Sequence, residues 1–269
     1  MQIIEPLLLN PFLALILITI SCSLLGVFVL WKKLAFFGDG LSHSILLGFV
    51  LGAIFDSNQI ATLLLFATFF AFLVSLISQN RYFSKDTIIA ISSYFCIALA
   101  IILNDFFTKN LNLASYVFGD ILVVGNQDLI ALTIISTIVI FYTFFAFRKI
   151  LLININNDLA KIEGIKVTFW NISFLILLAL TIALSVRIVG VLLMTALLVL
   201  PAAIARIFST SAKQMIILSC VFGCLISTIS FKISDHYNLA LNAGVIVAFC
   251  LTFVTGLFVK KIIQNAKSR

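Results

Sequence analysis

The chain has 269 residues, a formal net charge of +7, and 63% hydrophobic against only 10% charged residues. A soluble domain runs at about 45–50% apolar and about 25% charged, so an ordinary cytosolic enzyme and a disordered chain are both excluded. The bilayer is the solvent that fits: a spanning helix takes about 20 residues, and the length allows eight to ten of them.

Continuous apolar runs such as Ile60–Ile77 and Leu129–Phe147 favour helices over a barrel, whose strands alternate apolar and polar over about ten residues. A helix also satisfies its own backbone amides in lipid. The polar breaks predict spans over 7–30, 41–55, 60–78, 87–103, 128–147, 168–186, 188–205, 213–230 and 242–259. The first run lacks a basic start and a small-residue cleavage site before Trp31-Lys32-Lys33, so it reads as a span and not as a cleaved signal peptide. The stretch 168–205 carries Arg187 as its only charge. As one helix at about 1.5 Å per residue it would be about 57 Å long, near twice the hydrocarbon core, so a reversal is expected around Arg187–Gly190. Pro201, late in that stretch and followed by small residues, reads as a bend at a close helix–helix contact or as ordinary packing. The whole forms a single transmembrane domain, 1–264, with a frayed tail at 265–269.

Alternating the spans puts fourteen of the seventeen basic residues on one side and leaves only Lys109, Arg187 and Lys232 on the other. The positive-inside rule makes the first side cytoplasmic, with the N-terminus outside and the C-terminus inside. Topology and lipid charge then account for the net charge, and no nucleic-acid partner is implied. Glu5, Asp56, Asp105, Asp120, Asp128 and Asp235 fall on the outer side, either as acids left over by the basic bias or as a mouth that attracts cations.

The segment Phe37-Gly38-Asp39-Gly40-Leu41-Ser42-His43-Ser44 holds the clearest chemistry. Asp39 and His43 are four apart and share a helix face. Ionisable groups at membrane depth usually point at a pathway, and carboxylate and imidazole are both ligands for a borderline divalent cation such as zinc. The flanking glycines suggest a broken or late-starting helix. The competing reading makes Asp39 an N-cap and His43 a packed histidine. His236 beside Asp235 is either an exposed loop residue or a cation receiver at the outer face. Cys220 and Cys224, at i, i+4, read as packing. The loop Arg148–Lys166 contains Asn157-Asp158-Leu159-Ala160-Lys161-Ile162-Glu163-Gly164, where Asn157 or Asp158 can cap and Gly164 can end a two-turn helix. A short helix at the membrane surface is either a docking element or a simple connector. No phosphate-cradling Gly-Lys-Ser/Thr loop, His-Glu-x-x-His pair or Gly-x-Ser-x-Gly elbow occurs, so neither ATP binding of that kind nor these hydrolytic chemistries are expected. Phe-Gly-Asp occurs at 37–39 and 118–120, but Asp39 and Asp120 lie at opposite sides in this topology and do not form a protease dyad.

Taken together, these segments resemble the permeases of metal-type (zinc/manganese) ABC importers, and within them the ZnuB-type zinc permeases. The resemblance rests on Trp31-Lys32-Lys33 through Phe37-Gly38-Asp39 to Ser42-His43-Ser44-Ile45-Leu46-Leu47-Gly48, on Tyr116-Val117-Phe118-Gly119-Asp120, on Asp158-Leu159-Ala160 with Gly164, and on Val189-Gly190-Val191-Leu192-Leu193 leading to Leu200-Pro201-Ala202-Ala203. It implies an all-α, polytopic bundle of eight or nine transmembrane helices with a short cytoplasmic coupling helix. It further implies a non-enzymatic homodimer in the bacterial inner membrane with the ion path at its axis. A separate cytoplasmic ABC ATPase would press on the coupling helix, about Asn156–Gly164, and a periplasmic metal-binding protein would deliver the ion. Asp39 and His43 match the metal-path positions. Zinc is then the transported substrate and no cofactor is held permanently; manganese or iron import is the alternative, and a self-contained secondary transporter is less compatible with so few intramembrane charges. The family's Pro before the last span is missing: Leu241-Asn242-Ala243-Gly244 keeps only the Gly.

Overall fold

The structure is a computed structural model and describes residues 6–77, 84–108, 119, 121 and 124–267. Glu5, Arg81, Lys109, Tyr116–Phe118, Asp120 and Arg269 therefore lie outside the described residues. The fold is all-α. Its elements are α1 (Pro6–Trp31), α2 (Ala35–Ile54), α3 (Gln59–Ile77), α4 (Lys85–Leu103, continued by a π-helical turn Asn104–Thr108), α5 (Asn126–Ile155), α6 (Asn157–Ile162), α7 (Val167–Phe208), α8 (Ala212–His236) and α9 (Leu241–Lys267). All except α6 are long and apolar enough to cross a membrane, eight in number among the described residues.

Helix α7 is two arms joined at Gly190, whose φ of 76° and ψ of 169° are not helical. The neighbours along α1 prove the reversal. On the first arm, Asn171 accepts a hydrogen bond from Lys32 and Phe174 meets Phe28 at 6.1 Å, so this arm runs antiparallel to α1. On the second arm, Met194 meets Cys22 and Leu198 meets Gly26, so this arm runs parallel to it. The turn thus falls within the expected Arg187–Gly190 stretch. Asn242 on the first turn of α9 donates to the Val189 carbonyl at 3.1 Å, which ties the outer turn lacking the expected Pro to the reversal. Pro201 does not interrupt the second arm, in which the backbone keeps helical dihedrals. Its small neighbours do mark a close contact: a Cβ on Gly26 would sit 2.0 Å from the Leu198 carbonyl oxygen.

Helix α1 packs against α5, α7 and α8. Polar contacts between helices help hold it in an apolar surround. Ser21 donates to Ser136 on α5 at 2.9 Å, Thr19 bonds Ser227 on α8 at 3.1 Å, and Ser219 donates to the Ser23 carbonyl at 3.0 Å. At the outer end, Arg187 pairs with Asp128 at 3.3 Å, while the second oxygen of Asp128 accepts the Gly125 amide at 3.2 Å and caps α5. Asp128 is thus committed to structure and is not free to attract cations. Asp128→Ala is expected to lower the melting temperature by leaving Arg187 half-buried and unpaired, at a cost of about 1–3 kcal/mol. Adding Arg187→Met should recover part of that loss, because it removes the orphaned charge.

Several boundaries differ from those read in the sequence. The segment Arg148–Ile155 is the last part of α5, not loop, because Lys149 lays its ammonium 4.4 Å over the Trp170 ring and so keeps a charge within a helix that hydropathy alone would end. His236 closes α8 instead of lying in a loop, its ring edge-on to Tyr237 at 4.9 Å. Helix α9 runs on through Lys267, into the stretch assigned to the tail.

Candidate functional site

Helix α2 begins at Ala35 with Leu34 as its N-cap position. Asp39 is therefore inside the helix and is not its cap, and the helix is not late-starting. The glycines have another purpose. A Cβ at Gly38 would meet Leu198 of α7 at 2.7 Å, and a Cβ at Gly40 would meet Ile89 of α4 at 2.3 Å. They let α7 and α4 approach α2 from both sides and leave Asp39 on the crest between them.

The exposure pattern follows from this packing. Phe37, Gly38, Gly40, Leu41, Ser42 and Ser44 are all buried, whereas the Asp39 side chain is 53% exposed and that of His43 34%. Phe36 completes the open stripe. The pair thus points out of its own bundle. His43 Nε2 lies 3.6 Å from Asp39 Oδ1, too far for a hydrogen bond, so neither lone pair is spent on the other. Two donors on one tetrahedral zinc are about 3.3 Å apart, given bonds of about 2.0–2.1 Å. The observed separation is close to that edge. No third His, Cys, Asp or Glu joins them among the described residues, and the pair by itself falls two donors short of the four that a tetrahedral zinc takes.

The second predicted element also forms. Asn156, one residue before the expected caps Asn157 and Asp158, caps α6: its side-chain oxygen accepts the Asp158 and Leu159 amides at 2.8 and 3.2 Å. The extended backbone of Asn156, which separates α5 from α6, makes it the cap. Ala160 is buried, while Leu159 and Ile162 are exposed, and Lys161 pairs with Asp158 at 3.1 Å. Gly164 ends the helix at φ +76°. The result is a rigid two-turn helix, anchored by one face and open on the other, at the end of the molecule where Lys33 and Arg206 share a cavity.

The pattern missed two sites. Asp128 and Arg187 are 59 positions apart, and no local spacing pairs them. Lys32, Lys85, Thr168 and Asn171 line one cavity although they come from three separate segments.

Comparison with known proteins adds the following. The model of the ABC 3 transport family matches residues 5–260. The high-affinity zinc uptake system membrane protein ZnuB of Buchnera aphidicola (subsp. Acyrthosiphon pisum) is 32% identical over 90% of this chain and 93% of its own. That of Haemophilus influenzae is 33% identical over 90% and 94%. The manganese import system permease protein ScaB of Streptococcus gordonii is 28% identical over 93% and 90%. Among solved structures, PsaBC from Streptococcus pneumoniae in complex with Fab superposes with a TM-score of 0.82 at 27% identity, covering 94% of this chain and 92% of that one.

Proposed function

The chain belongs to the ABC 3 transport family, and from that premise we propose how it works as the membrane-spanning permease of an ATP-driven importer, with zinc as its cargo. It is a multi-pass protein of the plasma membrane and not itself an enzyme; hydrolysis of ATP falls to a separate subunit. The zinc permeases among its relatives support the cargo. The similarity to a manganese permease carries the second reading, manganese import by the same machinery.

One observation carries the mechanism: a carboxylate and an imidazole stand with Phe36 on the one open stripe of a largely buried helix. Facing lipid, a carboxylate costs up to about 2.5–3.5 kcal/mol, the figure for the centre of a span. A second copy across a twofold axis covers the stripe and brings a second Asp39 and His43, which makes two oxygen and two nitrogen donors, a set that suits zinc. Partial exposure keeps binding weak enough for release. A metal-binding protein delivers the ion outside, and the ATPase presses on α6 inside. Closure of the ATPases then moves α6, and the helices around the axis exchange outward for inward access. Reconstituted with its ATPase, the permease is expected to show ATP hydrolysis stimulated by zinc at lower concentration than by manganese or iron. Stimulation by manganese with zinc inert would overturn the choice of cargo.

The role of α6 has its own test. Ile162→Asp puts a charge on the exposed apolar face and should weaken retention of the ATPase by about 10-fold or more, as removal of an interface anchor does. Binding of zinc to the permease should be unchanged, and pull-down with dialysis reads both.

A further inference from the structure

The turn between α1 and α2, the end of α3 and the starts of α4 and α7 enclose a cavity of about 300 Å³ lined by Lys32, Lys85, Ser75, Thr168 and Asn171 over a floor of apolar side chains that includes Phe174. No carboxylate lines it among the described residues. Lys32 is held by Asn171 and lies 5.6 Å over the Phe174 ring. Burial, and after it the charge of Lys85, pulls its ammonium down to about 8. Two cations thus converge on a polar hollow whose described lining carries no acid. For the buried Lys32, charge of this kind is costly unless it is paired. The hollow opens at the end where the cations gather, the side that meets the anionic leaflet. At about 30 Å³ per water, it has room for a phosphate group and several waters.

We propose that this cavity binds a phosphate-bearing anion, held by Lys32 and Lys85 with Thr168 as a hydroxyl donor. Lys32 follows α1, Lys85 opens α4 and Thr168 is in the first turn of α7, so the anion ties together the cytoplasmic ends of three helices. Lysine suits the task as a point charge toward phosphate oxygens. Two sources offer the same group, an anionic phospholipid headgroup and free phosphate.

The test uses the full chain purified in detergent and titrated with phosphatidylglycerol, phosphatidylcholine or inorganic phosphate, read by its melting temperature. The expected result is stabilisation by phosphatidylglycerol or by inorganic phosphate, with phosphatidylcholine weaker by about 10-fold or more. Stabilisation by phosphatidylglycerol alone identifies the lipid as the source; stabilisation by millimolar phosphate that competes with the lipid identifies the free ion. Lys85→Gln, at an exposed position that leaves the fold intact, and Lys32→Gln should each weaken the response about 10-fold. No response to either anion, or equal responses in wild type and both variants, overturns the proposal.

Discussion

Replacing His43 by alanine is expected to cut zinc uptake by at least the roughly 10-fold that loss of even a supporting metal-site group costs, while the dimer assembles as before. Among the described residues the imidazole makes no hydrogen bond that holds the fold, and its contact with Asp39 is 3.6 Å long. Its removal leaves a gap on an open stripe and not in the core, so stability should hardly change. Asp39→Asn, which keeps the shape and removes the charge, should be at least as damaging, because a neutral amide is a poor substitute for a carboxylate toward a divalent cation. Uptake of radioactive zinc into cells, with detergent-solubilised dimer measured in parallel, separates the two effects. Wild-type uptake in both variants would show that the pair does not handle the ion.

The second large effect is expected at Gly190. Its φ of 76° with ψ of 169° falls in a region essentially reserved for glycine, where another residue costs of order 1–3 kcal/mol. The turn is also crowded: a Cβ on Gly119 would lie 2.2 Å from the Gly190 nitrogen, so the backbone cannot shift to relieve the strain. Gly190→Ala should therefore yield little monodisperse protein on size exclusion. Gly164→Ala is the matched comparison. That glycine has the same φ of +76° but nothing within 4 Å of an added Cβ, so it should pay the local penalty alone, about 1–2 kcal/mol, and remain folded. Equal behaviour of the two variants would show that the crowding around the reversal is unimportant.

The reversal illustrates what a sequence discloses. A 38-residue apolar stretch cannot cross a bilayer once, and the glycine near its middle is the place to turn. Asp39 and His43 were likewise visible, because i, i+4 spacing is a property of one helix and needs no tertiary information. The role of Gly38 and Gly40 was not visible. They looked like helix breakers, yet their missing side chains admit Leu198 and Ile89, residues about 160 and 50 positions away, and only the assembled bundle distinguishes a break from a close approach. The extension of α5 through Arg148 and Lys149 was hidden for a related reason. Hydropathy ends a span at its first charges, whereas the cation over Trp170 depends on where α7 begins. The pairing of Asp128 with Arg187 and the cavity of Lys32 and Lys85 belong to the same class of long-range fact.

The claim on which the mechanism rests is that Asp39 and His43 face their counterparts across the axis of two identical chains. Cysteine placed at position 43 by His43→Cys, in a chain carrying Cys250→Ser to remove the exposed native thiol, tests it directly in membranes under mild oxidation. A covalent dimer that forms only when the substitution is present is the predicted result. A thiol that reacts freely with a lipid-soluble maleimide and yields no dimer would contradict it, since the stripe would then face lipid and not a second copy.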